Sequence, residues 1–124
     1  MSDFAKQFED LRIWQQARIL AGNVYRDFGP PTPAERDFGF RDQIQRAGVS
    51  VMNNIAEGFE RNSPKEFAHL LGVAKGSCGE VRSMLYLAED LGYISTETAS
   101  DRRQLALQIS RGIEAFSKKL RSQS

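Results

Sequence analysis

The chain has 124 residues, of which 40% are apolar and 27% charged, a composition that excludes wholesale disorder and suits one globular domain. A single cysteine, Cys78, excludes an internal disulfide or a cysteine-rich zinc cluster, and apolar runs of only a few residues exclude a membrane span. The net charge of +1 is too small to predict a polyanion partner, and no charged-then-apolar segment opens the chain, so the cytoplasm is the expected location.

In chain order, residues 1–8 read as a loose arm that Phe4 and Phe8 could anchor. From Asp10 onward, Leu11, Ile13, Trp14, Ala17, Leu20, Ala21, Val24, Tyr25 and Phe28 recur at three- and four-residue steps. That spacing predicts an amphipathic helix over 10–28, capped by Asp10 and stopped by Gly29-Pro30-Pro31. Thr32-Pro33-Ala34-Glu35 has the form of a capping box and predicts a second helix over 33–61, buried through Phe40, Ile44, Ala47, Val51, Ile55 and Phe59. Gly39, Gly48 and Gly58 interrupt it, each at a cost of roughly 1 kcal/mol relative to Ala, which close packing of neighbours would offset.

Ser63-Pro64-Lys65-Glu66 is the clearest helix start, with Ser63 as cap, and predicts a third helix over 64–91. Its apolar stripe is Phe67, Leu70, Leu71, Ala74, Cys78, Val81, Leu85 and Ala88, and Gly92 is its stop. Gly72, Gly76 and Gly79 stand three and four residues apart and would let another backbone approach, within the bundle or between subunits. Ser95 can cap a fourth helix over 96–121, with Leu105, Ile109, Gly112 or Ile113, Phe116 and Leu120 on its thinner stripe. Four amphipathic segments on short connections, with no strand signal, predict a single all-α domain over 1–124: an antiparallel up-down-up-down four-helix bundle.

No catalytic constellation emerges, and no enzyme, metal or cofactor is expected. His69 is the lone histidine; a di-iron site would need the Glu66-x-x-His69 pair twice. Cys78 sits on an apolar stripe and reads as a small core residue. The stretch Arg46–Arg61 is the least ordinary, because two asparagines in mid-helix are poor helix formers. Asn53, Asn54 and Glu57 could bond a neighbouring helix, with Arg46 or Arg61 as the partner of Glu57, and so fix register or assembly. If exposed, Arg46 and Arg61 could instead contact phosphates, which Glu57 between them would repel.

Several runs together resemble one family. They are Leu11-Arg12-Ile13-Trp14-Gln15-Gln16-Ala17, Gln43-x-x-Arg46-Ala47-Gly48-x-Ser50, Asn54-Ile55-Ala56-Glu57-Gly58-Phe59-x-Arg61, Ser63-x-Lys65-Glu66-Phe67, Ala74-x-Gly76-Ser77 with Glu80, and Leu91-Gly92-Tyr93. In order and spacing they are similar to the bacterial four-helix-bundle proteins of 23S rRNA intervening sequences, also called S23-type proteins. The match spans about 9–95; the fourth helix matches by pattern, and Pro30-Pro31-Thr32-Pro33-Ala34-Glu35 makes a longer entry to the second helix. The resemblance implies a left-handed up-down bundle that assembles into a homopentamer. The family in turn resembles the accessory variability protein of diversity-generating retroelements, a pentameric barrel with a basic nucleic-acid-binding surface that partners a reverse transcriptase.

The expected function is therefore that of a non-enzymatic homo-oligomer, a pentamer by the resemblance, that binds RNA or DNA through basic surfaces. Twelve arginines against five lysines, and a fourth helix with six cations against Glu114 alone from Arg102 onward, point the same way. The candidate contacts are Arg102, Arg103, Arg111, Lys118, Lys119 and Arg121, with Arg46 and Arg61 second; Asn53, Asn54, Glu57, Gly72, Gly76 and Gly79 are the candidates for structure and assembly. The alternative is a scaffold that docks a protein partner through an apolar rim containing Phe4, Phe8, Phe38 or Tyr93.

Overall fold

A computed structural model describes residues 5–123. Among them are a short 3-10 turn, Phe8–Asp10, and four α-helices with no strand: α1 (Arg12–Phe28), α2 (Phe38–Glu60), α3 (Pro64–Asp90) and α4 (Thr96–Gln123). Each helix packs on its neighbours in the chain, and α4 returns to close on α1. The backbones of neither diagonal pair come close, so this is an up-and-down four-helix bundle. The core is one buried cluster built from the stripes set by the 3.6-residue period: Leu20, Val24 and Phe28 from α1, Ile44, Val51 and Ile55 from α2, Phe67, Leu71 and Leu85 from α3, and Ile109, Ile113 and Leu120 from α4. Tyr25, expected on the core stripe of α1, is half exposed instead.

Aromatic contacts finish both ends. Phe40 packs edge-on against Phe28 and Tyr93, at 5.2 and 5.4 Å between centroids, where α1 ends and α2 begins. At the other end Phe67 meets Phe59 and Phe116. Phe8 lies edge-on to Trp14 at 5.1 Å, so the expected arm is tied down by its last residue. Phe4 lies outside the described residues.

Helix starts and stops separate local signals from tertiary ones. Ser63 caps α3 by accepting from the Glu66 amide at 3.3 Å, and Ser95 caps α4 by accepting from Thr98 at 3.1 Å. Gly92, at φ +73°, ends α3: its amide bonds Glu89 and that of Tyr93 bonds Ala88, a pairing that requires the left-handed conformation glycine tolerates. Two expected caps do not form. Asp10 belongs to the 3-10 turn, and Leu11, without a side-chain acceptor, precedes α1. The second helix starts at Phe38 and not at Pro33; residues 33–36 make a separate turn, and the Thr32 hydroxyl is buried without a partner. The reason is Asp37, whose carboxylate caps the Phe40 amide at 3.2 Å while accepting from the Tyr93 hydroxyl at 2.6 Å. The residue that caps α2 is thus also bonded to the α3–α4 connection.

The glycines divide in the same way. A Cβ on Gly48 would lie 2.9 Å from Val24 Cγ2, one on Gly58 would lie 2.7 Å from Phe67 Cδ1, and one on Gly112 would lie 2.9 Å from Ile13 Cγ2. These three let helices approach. A Cβ on Gly39, Gly72, Gly76 or Gly79 would meet nothing within 4 Å, so the stripe on α3 packs against no helix of its own bundle.

Two outcomes follow for stability. Gly58→Ala drives a methyl into a buried ring and should cost roughly 1–3 kcal/mol in urea unfolding, whereas Gly76→Ala should leave the bundle unharmed or up to about 1 kcal/mol more stable. The Tyr93 hydroxyl, and after it the Phe40 amide, hold the Asp37 carboxyl below its ordinary value of 3.8. Stability from that pair is present above pH 3.8 and is lost as pH falls through the depressed folded value. Tyr93→Phe should therefore be less stable than the parent at neutral pH, with the gap narrowing in acid.

Candidate nucleic-acid interface

Of the eight cations singled out above, half are occupied within the molecule. Arg102 grips Asp27 with two bonds, Nε to Oδ2 at 2.7 Å and Nη2 to Oδ1 at 3.2 Å, both side chains being largely buried. Asp27 holds the Arg102 guanidinium above its ordinary pKa. Arg103 donates to Glu89 at 2.9 Å and lies over the Tyr86 ring; its hydrogen bond is the main reason the Glu89 carboxyl is lowered. Arg61 bridges Glu57 and Glu66 at 2.7 and 3.1 Å on the surface. Arg121 stands 3.9 Å from Glu114, whose carboxyl is lowered chiefly by Lys75 at 3.0 Å. A cation already matched to a carboxylate has less to gain from a phosphate. Arg46, Arg111, Lys118 and Lys119 are exposed and have no ion pair among the described residues.

Arg111 does not stand alone. Because Gly112 has no side chain, α4 comes up against Ile13 of α1, and the groove beside this contact is lined by Arg12, Ile13, Gln16, Gln108, Arg111 and Gly112. Its volume is about 420 Å³, and it contains two guanidinium groups, two amides and no carboxylate. The outer face of α1 continues this character. Trp14, Gln15, Arg18, Ile19, Gly22 and Arg26 line a shallow depression, with Arg18 over the Trp14 ring at 5.8 Å and Arg26 bonding Asn23 at 3.1 Å. Sequence reasoning missed this face. The signal was there: Leu11 to Arg26 contains Arg12, Arg18 and Arg26 and no acid.

The candidates for structure and assembly separate too. Asn54 donates to the Ser50 carbonyl and hydroxyl at 2.8 and 3.0 Å, and the Ser50 hydroxyl meets that of Ser77 at 2.8 Å, joining α2 to α3. Asn53 and Glu57 point to solvent, and the partner of Glu57 is Arg61, not Arg46. Glu57 lies outside the Asn54–Ser50–Ser77 contacts and is tied through Arg61 to Glu66 at the start of α3. Burial pushes the Cys78 thiol up to about 12, which keeps it an inert core group. His69 is exposed beside Arg61, Lys65 and Glu66, and no cluster of three metal-ligating side chains occurs among the described residues. Among the described residues, no helix is long and apolar enough to cross a membrane.

This architecture defines a small all-α protein of the up-and-down four-helix-bundle class, with a basic groove on the seam between its first and last helices. The model of the 23S rRNA-intervening sequence protein family matches residues 9–115, and the chain belongs to that family. The match runs into α4, past Tyr93, the last residue of the motifs read above. The chain is also similar to the crystal structure of a protein of unknown function from the S23 ribosomal protein family of Bacteroides thetaiotaomicron. The two are 21% identical over 86% of this chain and 95% of the other, with a TM-score of 0.79, a likeness of fold. No curated protein matches the chain.

Arg102→Ala should lower folding stability by roughly 1.5–3 kcal/mol, because it strands Asp27 without its charged partner. Glu57→Ala should leave the thermal midpoint nearly unchanged, since both partners of its ion pair are about half exposed. Thermal unfolding of the two variants beside the parent checks both.

Proposed function

We propose that the protein binds the phosphate backbone of RNA or DNA through the α1–α4 seam, as a homo-oligomer in the cytoplasm and without chemistry of its own. The observation that carries this reading is the groove in which Arg12 and Arg111 converge with no carboxylate beside them. Lys118, which has Glu114 one turn away, and Lys119 extend the positive charge along α4, and Arg18 and Arg26 extend it along α1. Such contacts position a backbone and carry no base sequence information. With a net charge of only +1, one subunit would bind weakly, and repetition of the groove around a ring would supply avidity. The pentamer implied by the resemblance would serve that purpose.

The open face of α3 supports the oligomer and also favours a second reading, a scaffold that docks a protein. Beside its uncovered glycines it exposes Val73 and Leu87, at 41% and 47%. Of the aromatics expected on the rim of such a scaffold, Phe8 packs on Trp14 and Tyr93 on Phe40, Phe38 is exposed under Arg41, and Phe4 lies outside the described residues.

Polarisation titrations over a salt series test the leading reading. Affinity should fall steeply with salt, and Arg12→Ala with Arg111→Ala should weaken binding and flatten the log–log slope by about 1.4–1.8. Lys118→Ala with Lys119→Ala should also weaken binding while leaving stability intact. A parent protein that binds neither RNA nor DNA at low salt, yet retains a stoichiometric protein partner on purification, would support the scaffold and overturn the leading reading.

A further inference from the structure

A second groove lies on the other flank of α4, between α3 and α4. Arg82, Tyr86, Ser100, Arg103, Gln104 and Leu107 line about 330 Å³, again without a carboxylate. Its centre is Tyr86, an aromatic ring that is 57% exposed and yet held. The Arg103 guanidinium carbon sits 4.0 Å from the ring centroid, and Arg103 is itself fixed by Glu89 and only 16% exposed. One face of the ring is thus covered by an anchored cation, while more than half of the residue remains open to solvent. One turn earlier on α3, Arg82 is exposed and has no ion pair among the described residues. Across the groove, Ser100 and Gln104 offer a hydroxyl and an amide.

We propose that this groove takes an unpaired nucleobase, so that the ligand of the seam is a single-stranded nucleic acid. The chemistry matches part by part. A base has a π-face for the open side of Tyr86, and stacking on an aromatic ring tolerates any sequence. Gln104 and Ser100 can meet the polar edge of the base, and Arg82 can meet a flanking phosphate. Bases within a duplex already stack on each other and cannot reach the ring, whereas those of a single strand can be splayed outward.

Geometry links the two grooves. Gln104 lines this groove and Gln108 the one containing Arg12 and Arg111; they are one helical turn apart on α4, about 5–6 Å between Cβ atoms. Arg102 to Ile113 contains three arginines and no acid, so nothing on this stretch of α4 repels a strand crossing it. The inference rests on the reading that the α1–α4 seam holds the backbone, and the two can fail separately.

The test uses labelled single strands of RNA and of DNA, roughly a dozen nucleotides long, beside duplexes of the same length. Single strands should bind more tightly than duplexes. Tyr86→Ala should weaken single-strand binding by about 5- to 150-fold, the range for loss of one base–aromatic stack, and leave duplex binding unchanged. Tyr86→Phe should bind like the parent, because the ring face remains. RNA and DNA strands should lose similar amounts, since the ring reads the base and not the sugar. A folded Tyr86→Ala variant that binds single strands as well as the parent, or loses duplex binding equally, would overturn the inference. If Arg12→Ala with Arg111→Ala then still weakens both ligands, the seam reading stands alone. If Tyr86→Ala weakens single-strand binding but the arginine pair weakens neither ligand, the stacking site stands and the seam reading fails. A parent protein that binds neither strand type overturns both.

Discussion

The contact between α4 and α1 is the one on which the rest depends. Four helices in chain order make a sheet-like row unless the last returns to the first, and here two devices bring it back. Asp27 and Arg102 clamp one end through a bidentate pair that excludes most water. Farther along, Gly112 yields its side-chain space to Ile13, so the helix backbones come close. Closure seals the core and also sets Arg12 beside Arg111. The constraint that completes the fold thereby creates the basic groove.

Charge is partitioned by the same geometry. Cations that hold elements together, Arg102 and Arg103, are partly buried and matched by Asp27 and Glu89, carboxylates on neighbouring helices. Those on the outer faces of α1 and α4 are left without carboxylates in their grooves. A net charge of +1 conceals this, because it adds stabilising pairs to the free surface charge. Among the described residues, arginines that close the bundle, Arg102 and Arg103, are distinct from Arg12 and Arg111, which line a groove without a carboxylate.

Much of the fold was legible because its signals are local. Ser63-Pro64 starts α3 and Gly92 stops it, each through bonds within a few residues. The start of α2 was less so: Asp37 caps the Phe40 amide locally, but the Tyr93 hydroxyl that also holds its carboxylate lies 56 residues away. The candidate interface was less legible still. The pairing of Arg102 with Asp27 spans 75 residues, and no spacing rule announces it. The acid-free run from Leu11 to Arg26 was visible, but its hydrophobic period drew attention to the core side of α1. Gly72, Gly76 and Gly79 narrow an expectation: of the two packings that small residues at helical spacing allow, within the bundle or between subunits, the bundle does not use the first.

The central claim is that the α1–α4 seam is the ligand-binding surface. Backbone amide chemical shifts, followed while a short single strand is added at low salt, test it most directly. The account predicts perturbations at Arg12 to Arg26 and at Gln104 to Lys119, with α2 around Arg46 and Asn53 undisturbed. Perturbations confined to the outer faces of α2 or α3, or none at all, would contradict it.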